Sequence, residues 1–476
     1  MKVPPESTPT RQAIARNSPV IRGQWSVLLR EHMLRPYHMS PPVDLVQSDT
    51  GLPERVGVVI IGGGIIGTCT ALFLAEKGHS VVLCEKGRIG GEQSSRNWGW
   101  CRTMGRDARE IPLAIESLRL WRGMNARINR DTGFRQAGIA YLCETEKEIA
   151  AQEAWLADAR QYQVDARLLR GAAIDTLVPG ASSRFIAALH TPTDGRAEPS
   201  QAAPAIAEAA RTAGATVLTD CAVRGIETQA GRVSGVVTER GRIGCDSVVL
   251  AGGAWSRLFC GNAGIDLPQL KVLGSVFRTA PLGGGPEITA SGSVFAFRKR
   301  LDGGYTIARR NANVADITPD SFRLLLRYAP TLKQNYGEIR LRFGRRFFDE
   351  WRTKRHWSLD EATPFEAVRV LDPAPRQATL QEARSVLSRC FPAFARMQVA
   401  ESWGGLIDVT PDAVPVIGEV PAIPGFFLAT GFSGHGFGIG PGAGKLTADL
   451  VAGDTPVVDP APFRFSRFTE GHRRAA

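Results

Sequence analysis

Three glycines within the segment VGVVIIGGGIIG have the spacing of a phosphate-binding turn. Gly62, Gly64 and Gly67 form a GxGxxG pattern directly after an apolar run at residues 56–61. Such a run is typical of a buried strand, and helix-forming residues follow as far as Lys77. Between a strand and a helix, these glycines permit a tight turn and close approach to a pyrophosphate, and the helix N-terminus offers free N–H groups. The pattern therefore predicts a dinucleotide site.

A carboxylate follows at the position that holds a ribose in such sites. Glu85 ends a second apolar run, which begins after Gly78 and His79. An acid at the end of the second strand accepts hydrogen bonds from ribose hydroxyls. A glycine-rich surface turn is the structural alternative, but it does not account for Glu85.

A second glycine-rich segment lies near the C-terminus. The apolar run 426–429 leads into GFSGHGFGIGPGAG, and a helix is predicted from about Pro441 to Val451. Phe432 and Phe437 interleave with the glycines, which favours a packed loop over a flexible one. Two such loops at opposite ends of the chain indicate a binding domain built from both ends, with a substrate domain inserted between them.

Composition narrows the class of protein. The chain has 476 residues, of which 43% are hydrophobic and 22% charged, as in a soluble globular protein of two or three lobes. No apolar run is long enough for a transmembrane helix, and no signal-peptide pattern occurs. Eight cysteines are scattered without a CxxC pair. We therefore expect buried thiols in a reducing cytoplasm, with no disulfide scaffold and no metal site.

Positive charge is concentrated in one segment. The net charge is +11, and residues 323–355 contain ten Lys or Arg against three acids. A solvated helical face, docking to an anionic membrane surface, and steering of an acidic substrate or electron acceptor are all compatible with this charge. Binding of nucleic acid is not expected, because no nucleic-acid motif accompanies the basic residues.

Local patterns also predict elements between the two loops. Thr145 and Glu148 form a capping box that opens a helix through about Gln161. SVFAFRKR, the turn DGG and YTIARR predict a β-hairpin at residues 293–310.

Together these blocks resemble the D-amino acid oxidase-type (DAO) family of FAD-dependent oxidoreductases, whose members include D-amino acid dehydrogenase and sarcosine oxidase. The resemblance rests on RIGGEQSSRNWGW (88–100), REIPLAIESLRLW (109–121), TPDAVPVIG (410–418) and GFSGHGFG (431–438). It implies an α/β fold: a Rossmann-like FAD-binding domain with an inserted substrate domain on a large mixed β-sheet. The implied division is an N-terminal extension at 1–55, an FAD-binding domain at 56–135, 199–262 and 400–455, a substrate domain at 136–198 and 263–399, and a C-terminal tail at 456–476.

The resemblance also implies which residues contact FAD. The pyrophosphate would lie on the first glycine loop (Gly62, Gly64, Ile65, Ile66 and Gly67), and the adenosine ribose would lie at the end of the second strand (Glu85 and Lys86). The pyrophosphate, ribityl chain and ring would be approached by Ser94, Ser95, Arg96 and Asn97, and adenine by the backbone of Val223. The pyrimidine edge of the ring would face the second glycine loop (Gly434, His435, Gly436, Phe437 and Gly438), with Ala251, Gly252 and Trp255 at the domain crossing.

The implied reaction is oxidation of a C–N bond. A hydride leaves the carbon next to nitrogen for flavin N5, and the imine is hydrolysed to a keto acid. Arg102 is the candidate anchor for a substrate carboxylate, because a guanidinium can hold both oxygens; a local pair with Asp107 or Glu110 is the structural alternative. His435 is a candidate for contact with flavin or substrate. Arg298 and Tyr305, on the hairpin, are further candidates.

Three positions depart from the sarcosine oxidase pattern. Gly405 stands where those enzymes carry the cysteine that binds FAD covalently, so we expect non-covalent FAD. Gly438 replaces a carboxylate-binding lysine, and Thr306 stands where a lysine promotes reaction with oxygen. The last change favours a dehydrogenase that passes electrons to a quinone or another protein, with the basic segment as a peripheral contact on the inner face of the membrane.

The leading hypothesis is therefore oxidative deamination of a D-amino acid or an N-substituted amino acid. A polyamine or γ-glutamyl-amine oxidoreductase is an alternative, because SSRNWG also resembles that subgroup. An RNA-modifying flavoprotein that uses its basic segment is a third.

Overall fold

The computed structural model describes residues 40–182, 185–334 and 339–468, apart from the side chain of Gln334. Two large β-sheets, each partly covered by helices, organise this part of the chain. Residues 1–39 and 469–476, which belong to the predicted extension and tail, lie outside the described residues, as do 335–338 within the basic segment.

The first sheet has eight strands and carries the first glycine loop. Its centre is parallel, with Arg55–Ile61 between Val81–Cys84 and Gly241–Leu250. Apolar residues fill these strands because both faces of the sheet are covered. The other five strands are Thr216–Leu218 and Phe426–Thr430, which extend the parallel part, and Val223–Gln229, Arg232–Thr238 and Val416–Glu419, which pair antiparallel.

Three helices pack together on one face of this sheet. Helix Ile65–Glu76, which follows the glycine loop, lies against both Pro199–Thr212 and Gly440–Ala452. A Cβ at Gly444 would collide with Cβ of Cys69, so glycine there permits the close approach of the first and last helices. Helices near opposite ends of the described chain are thus joined by direct packing.

The second sheet has ten strands and is mixed. In order they are Ile339–Arg342, Asn313–Asp316, Leu270–Thr279, Tyr305–Arg309, Phe295–Lys299, Thr289–Ser291, Ile139–Cys143, Ala187–Thr191 and Arg167–Leu169, with Val399–Val409 paired to Leu270–Thr279. The predicted hairpin is confirmed as Phe295–Lys299 and Tyr305–Arg309. Strand Val399–Val409 belongs to this sheet although it crosses the expected boundary at residue 400, so the exact division into domains stays a prediction.

The remaining elements are shorter or peripheral. The predicted capping box of Thr145 and Glu148 is confirmed at the start of Glu146–Gln161. The other α-helices are Gln93–Arg96, Ile111–Ile128, Ala172–Leu177, Ser256–Asn262, Pro319–Arg323, Leu325–Gln334, Arg345–Arg352, Pro364–Ala367 and Gln377–Cys390, with 3₁₀ turns at Gly253–Trp255, Pro392–Arg396 and Ala461–Phe463 and a small sheet of Trp100–Cys101, Gly195–Arg196 and Arg135–Gln136.

The cysteines of the described ranges are thiols in the core. All eight cysteines are buried and free of disulfides. In the same ranges no helix combines the length and apolarity needed to cross a bilayer, and no cluster of His, Cys, Asp and Glu is arranged to hold a metal ion.

Candidate active site

A cleft opens where the central parallel strands of the first sheet end. Ligands of open α/β sheets bind at this carboxyl edge. Both glycine loops reach it. Fifteen of the residues expected to contact the cofactor line it: Gly62, Gly64, Ile65, Ile66, Glu85, Lys86, Ser94, Asn97, Val223, Ala251, Gly252, Trp255, Gly434, Gly436 and Phe437.

The first glycine loop leaves no room for side chains. Gly62 has a φ of +110°, and a Cβ there would collide with the carbonyl oxygen of Ala251. A Cβ on Gly64 would lie 3.0 Å from Oγ of Ser94, which accepts a hydrogen bond from the backbone N–H of Ile65. Gly67 lies behind the cleft, where a Cβ would collide with the carbonyl of Gly62. It therefore serves helix–strand packing, and the other two glycines keep the cradle open.

Glu85 is held in place by the loop that it faces. Its Oε2 accepts the backbone N–H of Gly63 at 2.7 Å, and its Oε1 accepts that of Gly87 at 2.8 Å. Burial raises the pKa of this carboxyl, an effect that Lys86 and the two N–H donors oppose. Each carboxylate oxygen retains a further lone pair for a hydroxyl group. Glu85 can therefore both brace the loop and accept a hydrogen bond from a diol.

The outer end of the cleft is closed by contacts that the sequence did not reveal. Lys86 donates through Nζ to Oε1 of Glu92 at 2.7 Å and to the carbonyls of Val368 and Arg369 at 2.8 and 2.9 Å. Glu92 also accepts the indole N–H of Trp255 at 3.0 Å. The cluster ties the segment 368–371 against the cleft. No local motif marks this segment, because it is distant in sequence from Lys86 and Glu92 and contacts them only after folding.

Two residues of the Ser-Ser-Arg-Asn run do not line the cleft. Ser95 is buried, and the side chain of Arg96 is 1% exposed. Arg96 pairs with Asp372 at 2.6 Å and donates to the carbonyl of Gly404 at 2.8 Å. Arg96 therefore fastens the run to the second sheet instead of reaching into the cleft.

The second glycine loop lies against the strand that follows this run. A Cβ at Gly438 would be 2.6 Å from the carbonyl of Trp100, and the carbonyl of Gly438 accepts the indole N–H of Trp121 at 2.9 Å. Gly438 is thus a packing position outside the cleft lining, and the lysine expected from the sarcosine oxidase pattern has no space there.

A polar cluster lies next to this loop. His435 approaches Oε2 of Glu110 through Nδ1 at 3.2 Å, and Glu110 is fully buried at the start of helix Ile111–Ile128. Burial, followed by the charge of Arg106, lowers the pKa of His435, so its neutral form is favoured. A neutral imidazole that donates its Nδ1–H to the carboxylate keeps Nε2 as an acceptor.

Two guanidinium groups beside His435 have no carboxylate within hydrogen-bonding distance in the described part of the chain. Arg102 donates to the carbonyl of Met104 and, at 2.5 Å, to the hydroxyl of Tyr141. The expected alternative pairs are not formed, because Asp107 binds Arg109. Among the described residues no acid lies within ion-pair distance of Arg102.

Arg106 was not anticipated from the sequence. Its side chain is 4% exposed, its closest carboxylate is Glu110 at 3.9 Å, and its Nε and Nη1 have no hydrogen-bond partner in the described part of the chain. Burial and the nearby Arg102 lower its pKa to about 9, still above neutral pH. Its only sequence signal was a second Arg four residues after Arg102. An anion bound between the two would satisfy both.

The two hairpin candidates lie elsewhere. Arg298 is 1% exposed and forms a two-pronged pair with Glu198, with distances of 2.8 and 3.1 Å. Tyr305 is fully buried among aromatic rings and donates its hydroxyl hydrogen to the carbonyl of Pro286. Thr306 accepts a hydrogen bond from Arg298 at 3.1 Å. We therefore assign Arg298 and Tyr305 to the packing of the second sheet.

This fold and cleft define a dinucleotide-binding oxidoreductase with a second large sheet. The model of the FAD dependent oxidoreductase (DAO) family matches residues 57–450, and the chain belongs to this family. Its expected FAD-binding fold is thereby confirmed, and the protein binds FAD. The glycine cradle, the N-terminus of helix Ile65–Glu76 and Glu85 fit that cofactor.

Known relatives of this chain act on amino acids. It is 27% identical over 429 residues to sarcosine oxidase subunit beta of Arthrobacter sp., covering 87% of this chain and 91% of that protein. Glycine oxidase of Pseudomonas aeruginosa is 27% identical and matches 87% of this chain and 98% of its own length. The structure of L-amino acid deaminase from Proteus myxofaciens in complex with anthranilate matches with a TM-score of 0.87 and 36% identity, over 90% of this chain and 97% of that one. The chain is therefore an FAD-dependent oxidoreductase.

Proposed function

We propose that the enzyme deaminates α-amino acids and anchors the substrate carboxylate between Arg102 and Arg106. The observation that carries this proposal is the pair of guanidiniums beside His435: in the described ranges no acid lies within ion-pair distance of Arg102, and Glu110 approaches Arg106 only to 3.9 Å, without a hydrogen bond. A buried, unpaired charge is costly unless a ligand of opposite sign completes the site. A carboxylate would do so and would also orient the carbon to be oxidised.

His435 and Glu110 would set the protonation of the site. A hydride can leave the carbon next to nitrogen only when the amine is neutral, and bound FAD supplies the acceptor of that hydride. Two cationic arginines disfavour an ammonium group nearby. The neutral His435, held by Glu110, has an acceptor nitrogen for a hydrogen of the amine. The resulting imine is hydrolysed to a keto acid and ammonia or an amine.

The surroundings of Arg102 favour a substrate with an apolar side chain. Its guanidinium lies over the rings of Trp100 and Tyr141, at 5.8 and 5.7 Å from their centres, and Met104 is fully buried beside it. D-Amino acids and N-substituted amino acids are the substrates predicted from the sequence. The similarity to L-amino acid deaminase adds L-amino acids to the compounds to be compared.

Anaerobic bleaching of the flavin by candidate substrates tests this function. We expect loss of the flavin absorbance with one class among L-amino acids, D-amino acids and N-methyl amino acids carrying apolar side chains. The corresponding amines, which lack the carboxylate, should bleach it poorly, as should any substrate added to Arg102→Ala. Rapid bleaching by a polyamine, unchanged in Arg102→Ala, would refute the proposal and support the polyamine alternative.

We also propose non-covalent FAD and a dehydrogenase that delivers electrons at a membrane. Gly405 offers no sulfur for a covalent bond, and Thr306 replaces the lysine associated with oxygen. A surface for the membrane is provided by the elements Pro319–Arg323, Leu325–Gln334, Ile339–Arg342 and Arg345–Arg352, which we call the docking surface.

Large apolar side chains are exposed on the docking surface among arginines. Leu326 is 89% exposed and Trp351 is 69% exposed, and the side chain of Arg345 is 93% exposed. Phe322, Leu325, Leu341, Phe343 and Phe348 are also exposed. Apolar and basic residues together are typical of a surface that lies in the interface of an anionic bilayer. RNA bases stack on aromatic rings but not on leucine side chains, so the exposed Leu325, Leu326 and Leu341 favour lipid over the RNA hypothesis.

A further inference from the structure

A second cavity lies under the docking surface. Its floor is formed by strands Leu270–Thr279 and Asn313–Asp316 of the second sheet, and its cover by helices Pro319–Arg323 and Leu325–Gln334. None of the residues that line this cavity also lines the FAD cleft.

The rim of this cavity is continuous with the docking surface. Phe322, Leu325 and Leu341 line the cavity and are also 64%, 52% and 53% exposed. Side chains that belong to both surfaces form an apolar entrance. A molecule dissolved in the bilayer could therefore enter from the docking surface without crossing water.

The interior contains hydrogen-bond donors among apolar side chains. The side-chain amide of Asn313 makes no hydrogen bond to the described residues, so its N–H groups are available. Lys271 pairs with Glu350 at 3.2 Å and has further N–H donors. The lining also contains Asp316, Asp320, Arg346 and Glu350, which are held in ion pairs. A molecule with an apolar body and carbonyl oxygens would fill the apolar part and accept hydrogen bonds from the remaining donors.

Only one layer of chain separates this cavity from the FAD cleft. Along strand Val399–Val409 and its continuation, Leu406 and Asp408 line the cleft, whereas Val409 and Thr410 line the cavity. Ser433 lines the cavity between Phe432 and Gly434, which line the cleft.

Hydrogen bonds connect the two segments that form this wall. The backbone N–H of Ser433 donates to the carbonyl of Asp408 at 2.9 Å, and Oγ of Ser433 accepts the N–H of Thr410 at 3.2 Å. Lys271 of the cavity also lies 5.8 Å from the ring centre of Trp255, which lines the cleft.

We propose that this cavity binds a lipid-soluble quinone, which is the electron acceptor of the enzyme; this inference rests on the proposed dehydrogenase function. Oxidation of an amino acid to an imino acid releases two electrons and two protons. Reduction of a quinone to a quinol takes up two electrons and two protons, so the overall reaction balances without another reactant. Asn313 and Lys271 donate to the quinone carbonyls, and the tail leaves between Phe322, Leu325 and Leu341.

Photolabelling of the purified FAD-loaded protein tests the binding site directly. The probe is an azido-benzoquinone with a short isoprenoid tail, and the labelled peptides are mapped by mass spectrometry. We expect label within residues 269–272, 311–317 and 322–332. Ala315→Trp fills the cavity and should lower labelling by about tenfold. Ala151→Trp, on an exposed face of helix Glu146–Gln161, is the matched control and should label like the unmodified protein.

Competition and the half-reaction separate this inference from the proposed function. Unlabelled quinone should abolish the label, whereas palmitate should not; equal competition by both would indicate an acyl-chain site and overturn the inference. Label confined to other peptides of the unmodified protein would also overturn it, even if Ala315→Trp failed to fold. Anaerobic bleaching by amino acids does not require quinone. If amino acids bleach the flavin but the cavity is not labelled, the quinone site is refuted and the deaminase function stands. If the cavity is labelled but amino acids do not bleach the flavin, only the deaminase function is refuted.

Discussion

Nδ1 of His435 lies 3.2 Å from Oε2 of Glu110, across 325 residues of sequence. This contact ties the second glycine loop to the start of helix Ile111–Ile128, so the loop facing the cleft is fixed from behind. Because Arg102 and Arg106 lie in the same cluster, the pair also links the cleft wall to the proposed carboxylate anchor.

The first prediction concerns stability and pH. Burial and Arg106 lower the pKa of His435 below the ordinary value of 6.5. Below that value the unfolded chain binds a proton that the folded protein resists, so the free energy of unfolding falls as the pH falls. The slope contributed by this group reaches at most about 1.4 kcal/mol per pH unit. Urea unfolding from pH 7.5 to 5 measures it.

A histidine substitution isolates that slope. His435→Gln should flatten the pH dependence of unfolding in this window. His356→Gln, which changes an exposed histidine, should keep it. Identical slopes in both variants would show that His435 does not carry the effect.

The second prediction separates binding from stability at Arg106. Arg106→Met removes a buried guanidinium and leaves the buried Glu110 carboxylate, 3.9 Å away, without that cation, so the free energy of unfolding should fall by about 1–3 kcal/mol. KM for the amino acid should rise by roughly tenfold or more, because a charged hydrogen-bond donor to the carboxylate is lost. Chemical unfolding and steady-state kinetics measure the two effects. Arg109→Met, on an exposed pair with Asp107, should change neither; a KM unchanged in Arg106→Met would exclude it as an anchor.

The third prediction concerns the clamp at the outer end of the FAD cleft. Glu92→Ala removes the carboxylate that accepts from Lys86, from the indole N–H of Trp255 and from the backbone N–H of Leu371, and so loosens the segment 368–371. We expect the Kd for FAD to rise by about tenfold, from loss of roughly 1–2 kcal/mol of ordering. Quenching of flavin fluorescence on binding measures it. Glu116→Ala breaks only an exposed pair with Arg119 and is the control.

The fourth prediction tests the structural role of Arg298. Arg298→Met leaves the Glu198 carboxylate buried and without its main partner, which should cost about 3–5 kcal/mol in the free energy of unfolding. The double variant with Glu198→Leu should recover a large part of that loss, because no charge is then left unpaired. A single variant that is as stable as the parent but has a raised KM would restore Arg298 to the substrate site.

The sequence was sufficient where chemistry depends on neighbouring residues. Gly62, Gly64 and Glu85 belong to one strand–turn–helix–strand unit, whose geometry follows from local pattern alone. The same is true of Thr145 and Glu148, since a capping box spans four residues. These predictions required no knowledge of how distant segments meet.

The parts that the sequence missed depend on contacts between distant segments. Arg106 becomes notable only because the fold buries it with no carboxylate within hydrogen-bonding distance, and Glu92 only because residues 368–371 pack over it. Arg298 was assigned to the substrate because it lies on the predicted hairpin. Which face of the sheet it occupies depends on register and on Glu198, which no local pattern reveals.

The fifth prediction concerns the docking surface. The exposed Trp351 and Leu326 should enter the interface of a bilayer, while Arg345 and its neighbours are attracted to anionic headgroups. We expect the protein to co-sediment with vesicles containing phosphatidylglycerol at low salt, and less so with neutral vesicles or at high salt. Loss of two large apolar contacts in Leu326→Ser/Trp351→Ser should weaken the partition coefficient by about a hundredfold or more, since each buried side chain contributes roughly 1.5 kcal/mol or more. Leu45→Ser, at an exposed leucine outside the docking surface, is the matched control and should sediment like the parent. Equal sedimentation of parent and double variant would place the membrane contact elsewhere, and absence of sedimentation at low salt would leave the arginines as a solvated face.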